Sequence, residues 1–258
     1  MKTVVDVDVF VFDLDGTIYL GDSAIGDSIN TLKRLEEMGK KVFFLTNNSS
    51  KGKGEYTAKM AKLGYNCGKN QLLTSTMATI NYLNKNCANS TVYPVGTPGF
   101  VEEIKEGGIN VVEEGADIVL LAYDTTLTYE KMKKANLMLL NGSDFIATHP
   151  DDVCPSEAGD LPDVGAFLAM FKRASKREPR VICGKPNPPM AALVESVVGV
   201  AKDRIAMVGD RLYTDIAFGI KNGYKSVAVL SGETTLAEIE ASDLVPSIVL
   251  GSVNDLIV

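Results

Sequence analysis

Short apolar segments rich in β-branched residues alternate with segments of helical periodicity in both the first and the last part of this chain. The candidate strands are 8–13, 41–47, 204–210 and 225–230, and the clearest candidate helices are 27–39 and 214–223. Alternation of this kind with short links predicts an α/β fold, in which a mostly parallel sheet is covered by helices on both faces.

The middle of the chain repeats this alternation. Its strand-like segments are 90–96, 109–114, 117–123 and 144–150, and its helical segments lie around 129–140 and 163–176. The region 78–180 is long enough to fold as a separate domain. The sequence therefore predicts a core built from 1–77 and 181–258, interrupted by an inserted α/β domain over 78–180.

The first candidate strand runs directly into two aspartates, Asp13 and Asp15, with one leucine between them. Alternation along an extended strand points both carboxylates to the same side, where like charges repel unless a cation neutralises them. Ligands of parallel α/β sheets bind beyond the carboxyl ends of the strands, and two other candidate strands lead into Thr46 and Asp210. Lys185 lies just before a helix that begins with two prolines. We therefore expect these side chains to share a pocket.

This mixture of side chains suits phosphoryl transfer. Asp13, Asp210 and a main-chain carbonyl can hold Mg²⁺, which takes oxygen ligands and screens the approach of a phosphate dianion to a carboxylate nucleophile. Lys185 and the Thr46 hydroxyl supply charge and hydrogen bonds to the phosphoryl oxygens. Asp15 is placed to protonate the leaving oxygen and then to take a proton from water, a role that contributes about 10²–10⁴-fold.

Four short motifs carry a resemblance to a known family. "DLDGT" at 13–17, "TNNSS" at 46–50, "GKP" at 184–186 and "GDRLYTD" at 209–215 resemble, in that order, the signature motifs of the haloacid dehalogenase-like phosphatase superfamily. The second and fourth motifs look like those of its class IIA, the NagD and p-nitrophenyl phosphatase branch. The resemblance covers nearly the whole chain and implies a Rossmann-like core and an Mg²⁺-dependent phosphatase.

The resemblance also implies roles for single residues. The nucleophile matches Asp13, the general acid and base matches Asp15, and the remaining catalytic positions match Thr46 and Lys185. The candidate metal ligands are Asp13, Asp15, Asp210 and Asp215, where Asp215 matches a residue that binds the metal or orients the groups around it. The candidate substrate-binding residues are Thr46, Asn47, Asn48, Lys185 and His149.

The spacing of the motifs indicates where a cap domain is inserted. Only 32 residues separate Asp13 from Thr46, whereas 138 residues lie between Thr46 and Lys185. The longer interval resembles the type-2 cap of the family, an α/β domain that closes over the site and selects the substrate. Relatives with helical caps insert them between the first two motifs. The caps of relatives often mediate dimers, so a homo-oligomer, such as a dimer through the cap, is one expectation, and the oligomeric state stays open.

His149 is the only histidine of the chain and lies in a long loop-like stretch of the expected cap. Loops carry much of the specificity of enzymes, so a contact with substrate is one interpretation and a loop position without a function is the other. The same two interpretations apply to Asp152.

Composition restricts the partners. A net charge of −7 is opposite to what nucleic-acid binding requires, whereas a small phosphorylated metabolite needs only local positive charge. The absence of a long apolar run or a signal-peptide pattern, together with four widely spaced cysteines, predicts a cytoplasmic protein without a membrane partner. The choice between nucleotides and sugar phosphates stays open. So do two alternatives to hydrolysis: phosphoryl transfer to another acceptor, and a catalytically silent metal- or phosphate-binding module.

Overall fold

The computed structural model describes residues 6–68, 70–156 and 159–257, which form two compact units. The first unit contains the described residues up to Thr46, the segment Lys53–Leu73 and the residues from Ala191 onward. The second unit contains Asn47–Gly52 and Thr74–Met190. The predicted insert, 78–180, falls within the longer segment of the second unit, and its bounds stay a prediction.

The strands are β1 (Val9–Phe12), β2 (Tyr19–Leu20), β3 (Ser23–Ala24), β4 (Lys41–Thr46), β5 (Leu72–Thr74), β6 (Thr91–Val95), β7 (Asn110–Val111), β8 (Ile118–Leu121), β9 (Asp144–Ala147), β10 (Val153–Cys154), β11 (Leu161–Pro162), β12 (Val181–Ile182), β13 (Ile205–Gly209), β14 (Lys225–Val229) and β15 (Ile248–Leu250). The α-helices are α1 (Ser28–Glu37), α2 (Lys53–Lys62), α3 (Ser75–Asn86), α4 (Pro98–Glu106), α5 (Tyr129–Leu140), α6 (Val164–Ser175), α7 (Pro188–Val198), α8 (Ala217–Asn222) and α9 (Leu236–Glu240). The described residues also form two 3₁₀ turns, Lys202–Arg204 and Val253–Leu256, and a π-helical turn, Leu212–Ile216.

A six-stranded sheet in the order β15-β14-β13-β1-β4-β5 forms the centre of the first unit. Strand β1 runs parallel to both of its neighbours, so that Phe12 lies beside Val208 of β13 and beside Phe44 of β4. All four residues of β1 are apolar and buried, as expected of a central strand that is covered on both faces. The carboxyl ends of β13, β1 and β4 therefore lie side by side.

The second unit has its own parallel sheet, in the order β12-β9-β8-β6-β7. Its central strand β8 is buried along its whole length. On one face Phe145 of β9 meets Phe171 of α6 edge to face, with ring centroids 5.8 Å apart. The short antiparallel pair β10 and β11 also belongs to this unit. Two parallel sheets with packed helices confirm the prediction of an α/β fold.

Some elements differ from those expected. The predicted helix 214–223 begins as the π-helical turn and continues as α8, and the polar helix α3 was not predicted. Helix α3 begins after Thr74, whose side chain accepts the Met77 N–H at 3.2 Å and so satisfies one free donor of the first turn. Within the described parts of the chain, every helix is too short or too polar to cross a membrane.

Candidate active site

The sheet of the first unit brings three of the predicted residues to one edge. Asp13 directly follows β1 and Asp210 directly follows β13, and these two strands pair in parallel. Thr46 is the last residue of β4, on the other side of β1. The Asp13 N–H donates to the carbonyl oxygen of Val208 at 2.9 Å, which extends the ladder by one residue. The catalytic roles of these residues stay predictions.

Asp13, Asp210 and Asp215 form a compact group of carboxylates. One ligand oxygen from each lies within 4.8 Å of the other two, and the side chains of Asp210 and Asp215 are buried. Burial, and next to it the charge of Asp215, raises the pKa of Asp210 to about 6. Carboxylate oxygens that repel one another in a buried place form a site suited to a small divalent cation.

Asp15 lies outside this group and is exposed. Its Oδ2 accepts a hydrogen bond from the hydroxyl of Tyr19 at 3.3 Å. The ammonium nitrogen of Lys59 lies over the Tyr19 ring, 3.7 Å from the ring centroid. Asp15 is thus the solvent-accessible acid beside the group, and its predicted part in metal binding stays a prediction.

Several groups that hold Asp210 were not predicted from the sequence. The Thr17 hydroxyl donates to Oδ1 at 3.0 Å, and the Glu233 N–H donates to Oδ2 at 2.8 Å. The Thr234 N–H donates to the main-chain carbonyl of Asp210 at 3.1 Å. The sequence signal for Thr17 is its place in "DLDGT", whereas the loop after β14 carries none of the four motifs.

Asp215 is held by the turn that carries it. Its Oδ2 accepts the Arg211 N–H at 3.1 Å, and the Arg211 guanidinium pairs with Glu233 at 2.7 Å. A Cβ at Gly209 would overlap the Asp215 side chain. The glycine of "GDRLYTD" therefore lets the carboxyl lie against the end of β13.

Lys185 lies in the second unit, in a turn over 184–187 that the Asn187 N–H closes by donating to Gly184 O at 2.9 Å. The lysine is buried, and its N–H donates to Oδ1 of Asn47 at 2.8 Å. Asn48 is half-buried, and its Oδ1 accepts the N–H and the hydroxyl of Ser50 at 2.9 and 2.8 Å. The structure thus brings Asn47 and Lys185 together.

His149 has no exposed surface, and both of its ring nitrogens have hydrogen-bond partners. The Tyr123 N–H donates to Ser49 Oγ at 2.9 Å, and a second hydrogen bond of 3.1 Å joins Ser49 Oγ to Thr148 Oγ1. Thr148 Oγ1 is hydrogen-bonded to Nδ1 of His149 at 2.9 Å, and Nε2 is hydrogen-bonded to Asp163 Oδ1 at 3.0 Å. These contacts link the imidazole to Ser49, Thr148 and Asp163 in one buried chain of hydrogen bonds. Such burial does not favour the predicted contact with substrate, which stays a prediction.

The neighbouring acids differ in exposure: Asp151 is buried and Asp152 is exposed. Ligand atoms of His149, Asp151 and Asp163 also lie within 4.8 Å of one another. These atoms are joined to neighbouring side chains by hydrogen bonds, among them Asn47 Nδ2 to Asp151 Oδ1 at 3.0 Å and His149 Nε2 to Asp163 Oδ1 at 3.0 Å. The arrangement is that of a buried hydrogen-bond network.

Comparison with known proteins agrees with this geometry. A family model described as haloacid dehalogenase-like hydrolase matches residues 10–110, and a second, described as "HAD-hyrolase-like", matches residues 182–256. Acid sugar phosphatase from Staphylococcus haemolyticus is 34% identical over 239 residues, which are 92% of this chain and 90% of that protein.

Solved structures are similar over almost the full length. The structure of 4-nitrophenylphosphatase from Thermotoga maritima is 38% identical, with a TM-score of 0.95 over 99% of this chain and 98% of that chain. NagD from E. coli K-12 is 27% identical, with a TM-score of 0.88 over 96% of this chain and 97% of that chain.

Parallel strands that end in clustered aspartates, together with these matches, define the class: the chain belongs to the haloacid dehalogenase-like hydrolase family. Within that family its similarity to NagD and to 4-nitrophenylphosphatase identifies the class IIA, NagD-like branch. The protein is a phosphatase.

Proposed function

We propose that this phosphatase hydrolyses small phosphate monoesters with Mg²⁺, through an aspartyl-phosphate formed on Asp13. The proposal is supported above all by the group of Asp13, Asp210 and Asp215, whose ligand oxygens lie within 4.8 Å of one another. Three carboxylates so close together are stabilised by a divalent cation. An all-oxygen donor set suits Mg²⁺, whereas zinc favours histidine and cysteine. When bound, the ion would neutralise charge on the phosphoryl oxygens.

The proposed reaction has two steps. A carboxylate oxygen of Asp13 attacks phosphorus, the bond to the leaving oxygen breaks, and Asp15 protonates that oxygen. Asp15 then removes a proton from water, the water oxygen attacks the phosphorus of the aspartyl-phosphate, and inorganic phosphate leaves with Asp13 regenerated. The exposure of Asp15 suits a group that exchanges protons with water in each cycle.

Lys185 and Thr46 are proposed to stabilise the phosphoryl oxygens. Negative charge on these oxygens changes during transfer, and a fixed ammonium or hydroxyl close to them lowers the barrier. Burial of both side chains supports the proposal, because buried polar groups interact more strongly than groups in water. The motif positions of both residues are the second support.

A sugar phosphate is the substrate class that we propose first, because a relative with 34% identity is named acid sugar phosphatase. A nucleotide is the second class. The name of the Thermotoga relative, 4-nitrophenylphosphatase, recommends p-nitrophenyl phosphate as the assay substrate.

The test is hydrolysis of p-nitrophenyl phosphate by the wild type and by Asp13→Asn, each with Mg²⁺ and with EDTA. The substitution keeps the shape of the side chain and removes its charge, so we expect no turnover. Asp22→Asn, an exposed aspartate in the loop between β2 and β3, is the matched control and should equal the wild type.

Four results would contradict parts of the proposal. Turnover by Asp13→Asn would show that Asp13 is not the nucleophile, and turnover in EDTA would show that no metal is needed. Less inorganic phosphate than nitrophenol in the presence of an alcohol would indicate a phosphotransferase. A panel of sugar phosphates and nucleotides then separates the two substrate classes, and inertness of the wild type towards every compound would favour a binding module.

A homodimer through the residues 78–180 and a cytoplasmic location are further proposals. The dimer is supported by the family resemblance, and light scattering of the purified chain measures it directly. A monomer at micromolar concentration would contradict it.

A further inference from the structure

We propose that the side-chain amide of Asn47 is a positioning group that holds the backbone of Lys185 and is not a contact to substrate. The inference rests on the function proposed above, in which Lys185 acts on the phosphoryl group. It replaces the sequence-based prediction that Asn47 binds substrate with its side chain.

One amide pairs with both backbone groups of one residue. Oδ1 of Asn47 accepts the Lys185 N–H at 2.8 Å, and Nδ2 donates to the Lys185 carbonyl oxygen at 3.1 Å. The second proton of Nδ2 goes to Oδ1 of Asp151 at 3.0 Å. We call this set of three hydrogen bonds the Asn47 clamp. All three residues of the clamp are buried, so water cannot take the place of a lost hydrogen bond. A polar group left without its partner there would cost free energy.

The orientation of the amide is determined by its partners. The Lys185 N–H can only donate, so the atom that faces it is Oδ1, and the carboxylate of Asp151 accepts from Nδ2. Both amide protons are therefore used within the second unit. No donor of this side chain is left for a phosphoryl oxygen, and donors are what a phosphate dianion requires.

The backbone next to Lys185 is closely packed at Gly184. A Cβ at Gly184 would lie 2.6 Å from Asn47 Oδ1 and 2.7 Å from the Thr148 carbonyl oxygen. The Gly184 N–H donates to that same carbonyl at 2.6 Å. Thr148 therefore holds the backbone at Gly184, and Asn47 holds it on both sides of the Lys185 Cα.

Loss of the clamp would therefore move Lys185 without removing its charge. A displacement of about 1 Å of a catalytic group can lower the rate about 10²-fold. We expect Asn47→Ala to lower kcat/KM by about that factor, mainly through kcat, because the charge that Lys185 is proposed to stabilise develops in the transition state.

A double-mutant cycle tests the inference with p-nitrophenyl phosphate and Mg²⁺. The variants are Asn47→Ala, Lys185→Met and the double variant, where methionine keeps the length of lysine without its charge. If Asn47 acts through Lys185, Asn47→Ala lowers kcat/KM about 10²-fold in the wild type and less than about 3-fold in Lys185→Met. Asn84→Ala is the matched control, since this exposed asparagine of the same unit also donates to a backbone carbonyl, that of Gly107.

Three results would overturn the inference. Equal losses in both backgrounds would show that Asn47 acts independently of Lys185, and an unchanged Asn47→Ala variant would show that the clamp has no effect. If Lys185→Met were fully active while Asp13→Asn was inactive, Lys185 would have no catalytic role, and the proposed function of the clamp would be wrong. The mechanism proposed for Asp13 would still stand. Failure of Asp13→Asn to lose activity would instead contradict the proposed function.

A milder variant covers the case in which Asn47→Ala does not fold. Asp151→Ala leaves the two bonds between Asn47 and the Lys185 backbone in place and removes the acceptor of the third bond of the clamp. We expect a loss of about 3–10-fold that again disappears in Lys185→Met. Amide hydrogen exchange of the peptide 183–187 should rise in Asp151→Ala and stay unchanged in Asn84→Ala. Unchanged exchange and unchanged turnover in Asp151→Ala would contradict the clamp.

Discussion

Gly184 offers the sharpest test of how closely the second unit is packed around Lys185. Its φ angle lies outside the left-handed region, so alanine can adopt the backbone conformation and only the added methyl group matters. That methyl group would lie 2.6 Å from Asn47 Oδ1 and 2.7 Å from Thr148 O, whereas ordinary contacts begin near 3.4 Å. His149 Cβ, at 2.8 Å, is also too close, so these three neighbours or the backbone of residue 184 must move by about 0.6–0.8 Å.

The size of this movement sets the expected effects. A shift just under 1 Å beside Lys185 should lower kcat/KM about 10–10²-fold. Overpacking of a buried site typically costs about 1–3 kcal/mol, which lowers Tm by about 2–4 °C for each kcal/mol in a chain of this size. Turnover of p-nitrophenyl phosphate and thermal unfolding, both with Mg²⁺, measure the two effects on the same Gly184→Ala preparation.

Gly99→Ala is the matched control. Gly99 lies in α4 of the same unit, is exposed, and a Cβ there meets nothing within 4 Å. Its replacement should leave turnover unchanged and raise stability by about 0.4–1 kcal/mol, because alanine favours helices. If Gly184→Ala kept kcat/KM within about threefold of the wild type and its full Tm, the close packing inferred around Lys185 would be wrong.

Two further predictions concern the core of the second unit and the carboxylates of the first. Phe171→Ala removes a fully buried ring that packs edge to face on Phe145, and it should lower the free energy of unfolding by about 3–5 kcal/mol in urea titrations. A loss below about 1 kcal/mol would show that the helix α6 is not held by this contact. Because burial raises the pKa of Asp210 to about 6, a proton competes with a cation at this carboxylate below that pH. Calorimetry should therefore show weaker Mg²⁺ binding at pH 5 than at pH 7, and an affinity that does not change over this range would exclude Asp210 as a ligand.

Much of the fold follows from local patterns. The candidate strand 8–13 is β1, and the predicted helix 129–140 coincides with α5. Strand length and helical periodicity depend on neighbours a few residues apart, so both can be seen in one sequence. The elements that were missed are short or polar, such as β5 with its three residues and α3, and their place depends on the rest of the sheet and on a capping side chain.

The position of the candidate site was also predictable in part. Once the strands are parallel, residues at their carboxyl ends must lie along one edge, and this brings Asp13, Thr46 and Asp210 to one place. The third carboxylate, Asp215, joins the group because the π-helical turn after β13 returns it to the strand end. The positions of these acids relative to the ends of the strands therefore determine which of them can join the group.

Only the tertiary structure decided what each of these polar groups contacts. The hydroxyl of Thr17 reaches Asp210 across 193 positions of the chain, and the amide of Asn47 reaches the backbone of Lys185 across 138. A hydrogen bond needs its two atoms within about 3 Å, and that separation follows from how distant loops pack, which no local pattern encodes. For the same reason the sequence suggested His149 as a loop residue near substrate, while the fold buries it completely in a hydrogen-bond network.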